Sequence, residues 1–426
     1  VVQIIKRRTH AQYLWIILFT SLALAASYLV KNLPIHWLPV EPVSSLEPAF
    51  SLPGGYYDQG IQLEIHAPTH ATEVIYTVDG SIPTHTNGSI YTDSIYLRAA
   101  TLSATVIRAR AVFPSGDLGP VVSATYFVGL PTELPMISLI IDPGDLWDFE
   151  RGIYVNPYER GTAWERPVDV AYVDKDHRSG FHVSAGVRIH GEQSRGFEKK
   201  SLRLYFRQEY GVSRLDYPLF DGSDVRSFKR LVLHSGGQDH PVTHRWNWTL
   251  MRNPLADRLA FQLGGHATYS QPALLFINGK LWGIYQIRER IDDRFLTDHY
   301  GVETVDFLES PVSFQNGDVF AKYDSWNHLL QFVATHNLSD PASYAYVQSQ
   351  IDVANLIDYT ILQIYIANMD WPTRNGIQFR SKEQGGRWQW MFWNSSSSFG
   401  ANPSGQIDSN VMIRLWDITD PETVGD

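Results

Sequence analysis

The chain has 426 residues, too long for one ordinary domain, so two or three are expected. With 44% hydrophobic and 19% charged residues it must fold around packed cores, and a net charge of −10 excludes a general nucleic-acid binder, which needs a basic face to neutralise phosphates. No cysteine is present, which excludes disulfides, thiolate metal sites and a cysteine nucleophile, and the 13 Trp and 22 Tyr are read as β-strand core before ligand platform.

Residues 13–30, YLWIILFTSLALAASYLV, carry no charge and follow Lys6, Arg7 and Arg8. As a helix the run spans about 27 Å, close to the hydrocarbon core of a bilayer. Positive residues stay on the cytoplasmic side, so the pattern predicts an N-terminal transmembrane helix with the bulk of the chain extracytoplasmic. The small residues of ALAAS leave a cleaved signal segment as the alternative, which makes the protein secreted. Residues 1–33 are therefore the stub and anchor, and the membrane is a partner through 13–30. Pro34, Pro39 and Pro42 make 34–47 a semi-extended linker. The chain opens on Val and stops at PETVGD without a closing element, and is read as part of a longer protein, C-terminally truncated.

From 48 to 130 short β-branched or aromatic runs alternate with turn residues, which predicts an all-β immunoglobulin-like sandwich. Asp79–Gly80 forms a tight turn, Pro83 fixes the backbone, and Ser81 and Thr84 can bond it. The stretch IYTVDGSIPTHTNGSIYTDSIYL, with VIRARA behind it, resembles the C-terminal sandwich module of chitobiase and hexosaminidase enzymes. The resemblance implies a structural or adhesion module.

Residues 134–426 begin with strands at MISLIID, PVDVAYVD, SAGVRIHG, KSLRLYF, RLVLHS, PALLFIN and WGIYQIRE. Helices follow at WNWTLMRNPLADRLAFQLG, RFLTDHYG, SWNHLLQFVATHN, SYAYVQSQI and VANLIDYTILQIYIANM. That order predicts an α+β fold with two lobes. Trp326, Leu329, Leu330 and Val333 have the spacing of one buried helix face.

Three constellations carry chemistry. RIHGEQSRGFEKKSLRLYF runs from a strand through Gly191, Ser194, Arg195 and Gly196 to Lys199–Lys200; glycine lets backbone N–H groups approach an anion and lysine adds charge, although a charged hairpin looks the same. NMDWPTRNGI places Asp370 five residues before Asn375, the spacing of a kinase catalytic loop with Asp as base and Asn on Mg²⁺, although a capped turn reads alike. WNSSSSFG, residues 393–400, stands after the next strand pair, where a kinase presents its metal-binding loop. His234, His240 and His244 match no metal spacing, and Asp239 and Arg245 lie beside the first long helix. No hydrolase elbow, dinucleotide fingerprint, zinc-protease motif or paired-carboxylate glycosidase site appears.

Together with WNWTLMRNPLADRLA and FINGKLWGIYQIRERIDDRFL, these blocks resemble the CotH family of atypical protein kinases. The resemblance implies a two-lobed kinase-like fold that uses ATP and Mg²⁺ or Mn²⁺ to phosphorylate Ser or Thr of a protein substrate. By motif, Lys199 or Lys200 would hold nucleotide phosphates beside the Gly191–Ser194–Arg195 turn, with Glu289 in support. Asp370 would be the catalytic acid–base residue, and Asn375 a metal ligand. Where the family reads W-D-x-D-x-x-F-G, this chain has Asn394 and Ser396 at the acidic positions. Loss of those charges points to a pseudokinase; the alternatives are weak activity through Asn375 and another acid, or an altered sequence at the loop. Two functions follow: a Ser/Thr kinase facing an extracytoplasmic substrate, or a non-catalytic, membrane-anchored surface or matrix protein using the kinase fold as a scaffold.

Overall fold

A computed structural model describes residues 46–99, 103–241, 247–302, 304–309, 324–372, 374–382 and 386–401. The anchor segment 13–30, nearly all of the 34–47 linker, His244 and Arg245 lie outside the described residues. Among the described residues, no helix is long and apolar enough to cross a membrane.

The N-terminal unit is an all-β sandwich. Its five-stranded sheet centres on β1 (Glu73–Thr77), β2 (Thr105–Val112) and β3 (Val122–Val128), and two-stranded pairs cover the other face. Alternation buries Val74, Ile107, Ala109, Ala124 and Tyr126 against Leu63, Ile65 and Leu97. Asp79 accepts hydrogen bonds from the backbone N–H and hydroxyl of Ser81, as expected for an Asx turn. Gly80 has φ +85°, and a Cβ there would collide with the Asn278 side chain of the next unit, so close approach and backbone both require glycine.

All seven strands expected at the start of the second unit form: β4 (Met136–Ile140), β5 (Arg166–Val173), β6 (Ser179–His190), β7 (Ser201–Tyr205), β8 (Arg230–His234), β9 (Ser270–Ile277) and β10 (Lys280–Glu289). They close into a barrel in the order β4-β5-β6-β7-β8-β10-β9. A parallel pairing of β4 with β9 completes it. Its interior holds Leu139, Val170, Val187, Leu204, Leu231 and Ile287.

The barrel and the sandwich share an apolar seam of Phe127, Leu130, Met136, Val173 and Phe276. Beside it Arg108 pairs with Asp169 at 3.0 Å and also donates to the carbonyl of Gly80. Ser123 and Ser184 donate to the same carboxylate. Burial alone would raise the Asp169 pKa, but Arg108 and the two hydroxyls hold it below its ordinary value.

The rest is mainly helical: α1 (Arg252–Gln262), α2 (Asp293–Tyr300), α3 (Asp324–Thr335), α4 (Pro341–Gln350) and α5 (Val353–Tyr365). Asp292, Asp340 and Asp352 cap α2, α4 and α5 through backbone N–H groups. The first of these helices was expected to start near Trp246 and begins instead at Arg252. Leu250 takes φ +59°, and the Asp239 carboxylate, from outside the helix, accepts the N–H of Thr249 and of Arg252. The expected α3 face is also corrected. Leu329 is buried with Trp326 and Phe332 packed beside it, whereas Leu330 and Val333 are exposed. An antiparallel sheet of β11 (Val305–Glu309), β12 (Ile377–Ser381) and β13 (Gln389–Met391) stands beside these helices; β11 was not anticipated.

Candidate functional site

Two loops meet between the barrel and the helices. The first follows α5. Ala367 turns the chain at φ +49°, and the fully buried Asn368 donates to Gln363 at 2.8 Å and accepts the N–H of Asp370. Trp371, before a cis peptide to Pro372, packs with Tyr359 and Phe392. This anchoring presents Asp370 and, at φ +62°, Asn375.

The second loop is the serine run. Ser395 donates its N–H to Asn253 in the first turn of α1 at 2.7 Å. Ser397 donates to Gln238, and its carbonyl accepts the N–H of Met369. Ser398 closes a turn onto Ser395, and the Phe399 N–H reaches the carbonyl of Ile366. The run is thus a packed loop, with Ser395 and Ser398 fully buried and every hydroxyl used.

Asp370, Asn375, Asn394 and Ser396 come together in one hydrogen-bonded chain. Asn375 donates to the Asp370 carboxylate at 3.4 Å, Asn394 donates to the Asn375 carbonyl at 3.1 Å, and Ser396 donates to the Asn394 carbonyl at 3.1 Å. The donor set holds one carboxylate. Its other oxygens are neutral, and both amide oxygens already accept a hydrogen bond from a neighbour. Mg²⁺ is ordinarily held by one or two carboxylates with phosphate oxygens, and Mn²⁺ favours the same hard ligands. Among the described residues no group of three or more His, Cys, Asp or Glu could hold a metal ion. Among the described residues Asp370 is the one carboxylate of this set, and once it serves as the base no anionic side chain of the set remains to hold a catalytic divalent cation.

The two lysines have different partners. Lys200 is buried and donates to the carbonyls of Arg195 and Phe197, both at 2.8 Å, which ties off the preceding turn. Lys199 donates to the carbonyl of Ile284 and lies 4.5 Å from the Tyr285 ring centroid. Burial pushes its pKa down to about 8. Its charge is felt by His234 and His240, whose pKa values burial lowers to about 3 and about 4. A Cβ at Gly237 would sit 3.6 Å from His234 and 3.9 Å from Ser396, so this wall reaches the serine loop. Of the two lysines, Lys199 is the one whose charge reaches this wall.

The other residues of the expected nucleotide set are used locally. Arg195 is buried and donates to the carbonyls of Gly191, Pro157 and Glu159. Gly191, at φ +112°, lies against Ser194, whose hydroxyl occupies the space a Cβ there would need. Glu289 is buried. It accepts from the Tyr269 N–H and pairs with His299 at 2.7 Å, so its carboxylate is spent away from both lysines.

Beneath the loops lie two buried ion pairs that motif reading did not assign. Asp239 binds Arg252, both nearly solvent-free. Asp257 binds Arg288 at 2.9 Å, and the Arg288 guanidinium also lies 4.8 Å from the Trp393 ring. Burial pushes the Asp257 pKa up to about 6 despite Arg288. The sequence signal for either pair was slight: Asp239 lies in the loop that precedes the first long helix.

Residues 187–414 match the family described as CotH kinase protein, and residues 52–123 match the chitobiase/beta-hexosaminidase C-terminal domain. No curated protein sequence matches the chain. Among solved structures, the fibronectin(III)-like modules of Clostridium thermocellum CbhA share 14% identity, over 20% of this chain and 96% of that one, with a TM-score of 0.14. The D00-D0 domain of intimin shares 13% identity, over 34% and 74% of the respective chains, with a TM-score of 0.16. At such scores neither likeness bears on the fold.

Proposed function

The chain belongs to the CotH kinase family, and from that premise we propose that its kinase-like domain is a binding scaffold in which metal-dependent phosphoryl transfer is disabled. The observation that carries this reading is the chain Asp370–Asn375–Asn394–Ser396, which supplies one carboxylate and otherwise neutral oxygens already engaged with one another. Metal stabilisation of charge on the transferring phosphoryl group is a major part of kinase catalysis. Loss of one such electrostatic contact typically costs on the order of 10²–10³ in rate. On this reading the sandwich is an adhesion module, and both units face outward from a membrane tether. A retained Ser/Thr kinase activity is the second reading, favoured by Asp370 standing 3.4 Å from Asn375. In it, Asp370 accepts the proton of the substrate hydroxyl and Lys199 holds phosphate charge; ATP would supply the phosphoryl group.

ATP turnover with Mg²⁺ and with Mn²⁺ tests the choice, comparing the parent, Asp370→Ala and the double substitution Asn394→Asp/Ser396→Asp. The scaffold reading expects a silent parent and a double variant that gains Mn²⁺ binding and turnover at least tenfold above it. Parent turnover that disappears in Asp370→Ala would establish a working kinase and end the scaffold reading.

A further inference from the structure

Four guanidinium groups gather around one phenol ring on the barrel. Arg188, Arg207, Arg230 and Arg203 lie 4.4, 5.3, 5.9 and 6.0 Å from the centroid of Tyr205. Strand register creates the crowd, with Arg188 directly opposite Arg203 and Arg230 directly opposite Tyr205. Like charges placed opposite each other in a ladder repel. Three of the four have a carboxylate. Arg188 and Arg207 share Glu165 at 2.5 and 3.0 Å, and Arg230 holds Asp292 at 2.5 Å.

Arg203 has none among the described residues. It donates to Nδ1 of His190 at 2.6 Å and to the Tyr205 hydroxyl at 3.3 Å, and its Nε is buried without a hydrogen-bond partner. Accepting at Nδ1 leaves the neutral His190 ring its proton on Nε2, a donor. Arg290 and Arg230 stand close enough for their charges to press on Arg203, although Arg290 is itself paired with Glu309 at 3.3 Å and Arg230 with Asp292. These two arginines, though not Arg203, also line a neighbouring open cleft with Lys229 and Arg294. The carboxylates at that cleft, Glu289, Asp292 and Asp298, are already paired with His299, Arg230 and Arg214. A mostly buried cation with no carboxylate partner among the described residues is electrostatically incomplete.

We propose that Arg203, with Arg230 and Arg290, forms an anion site that takes a phosphate group, carried either by free orthophosphate or by a phosphate ester, without a divalent metal. Guanidinium groups match phosphate oxygens in pairs, and a dianion balances more than one of them. The site does not depend on the reading of the serine loop, because the hydrogen bonds of Asn394 and Ser396 run to other residues.

The test is calorimetric titration of the whole chain in EDTA with inorganic phosphate and, separately, with ATP, for the parent, Arg203→Gln and Arg290→Gln. Saturable phosphate binding that weakens at least tenfold in both variants is expected. The melting temperature of Arg203→Gln should stay level or rise, because a repulsion is removed. ATP binding more tightly than phosphate would make the ester the source, and equal binding would make it free phosphate. The absence of saturation by either probe would overturn the proposal. So would binding that survives in both variants, including the case where Arg203→Gln lowers the melting temperature and leaves affinity intact, since Arg203 would then serve only the fold.

Discussion

The barrel has two junctions, and each contains a buried arginine–aspartate pair, but the surroundings differ. Toward the sandwich, Arg108–Asp169 stands beside the apolar seam of Phe127, Met136, Val173 and Phe276. Toward the helices, Arg252–Asp239 and Arg288–Asp257 stand among Asn253, Thr268, Gln238 and buried serines. Apolar area holds a junction whatever its polar contacts do, whereas a polar network holds only while each member is satisfied. The sandwich junction should therefore tolerate loss of its ion pair, and the crevice junction should not tolerate loss of Arg252–Asp239.

The largest effect expected is Asp239→Ala. It leaves the Arg252 charge buried and removes acceptors from two N–H groups at the start of α1. A loss of about 3–5 kcal/mol in chemical denaturation is expected. A loss below about 1 kcal/mol would show that the serine loop is held by something other than this pair.

Asp257 sharpens the comparison through pH. Its folded pKa is raised to about 6, so the folded chain binds this proton more tightly than the unfolded chain does. The added stability is fully present below the unfolded carboxylate pKa of about 4 and is lost as pH rises to about 6. The change is on the order of 2–3 kcal/mol. Denaturation followed from pH 4 to pH 6, in parent and Asp257→Asn, measures it. An equal slope in both would remove Asp257 from the account.

The smallest effect is expected at the other junction. Asp169→Ala strands Arg108, but that guanidinium keeps the carbonyls of Gly80 and Ile140, and the apolar seam is untouched. About 1–3 kcal/mol is expected, with sandwich and barrel still melting together. Separate melting transitions would mean that the ion pair, not the seam, couples the two units, and the contrast drawn above would fail.

Much of the fold was legible because its signals are local. The seven barrel strands carry continuous or alternating apolar runs, whereas the Asp caps before α2, α4 and α5 were not read, and α4 begins at Pro341 rather than Ser343. Barrel closure was not legible, since β4 meets β9 only through a parallel pairing far apart in sequence. The α3 face was misjudged because spacing defines a stripe but not which neighbour covers it, and Trp388, fully buried, draws in Trp326.

At the site, sequence alone determined the residue types: Asp370 five before Asn375, two adjacent lysines, and Asn394 and Ser396 at positions where the family carries acids. Chemical identity is fixed residue by residue, so the loss of charge could be read directly. Only the tertiary structure decided which groups meet and which are already spent. It tied Lys200 to the carbonyls of its own turn and Lys199 to the carbonyl of Ile284, and it gave Glu289 to His299. It also left Arg203 without a carboxylate, among the described residues, on a crowded strand face. Partnership depends on distances across strands and lobes, and those are set by packing that no local run of residues encodes.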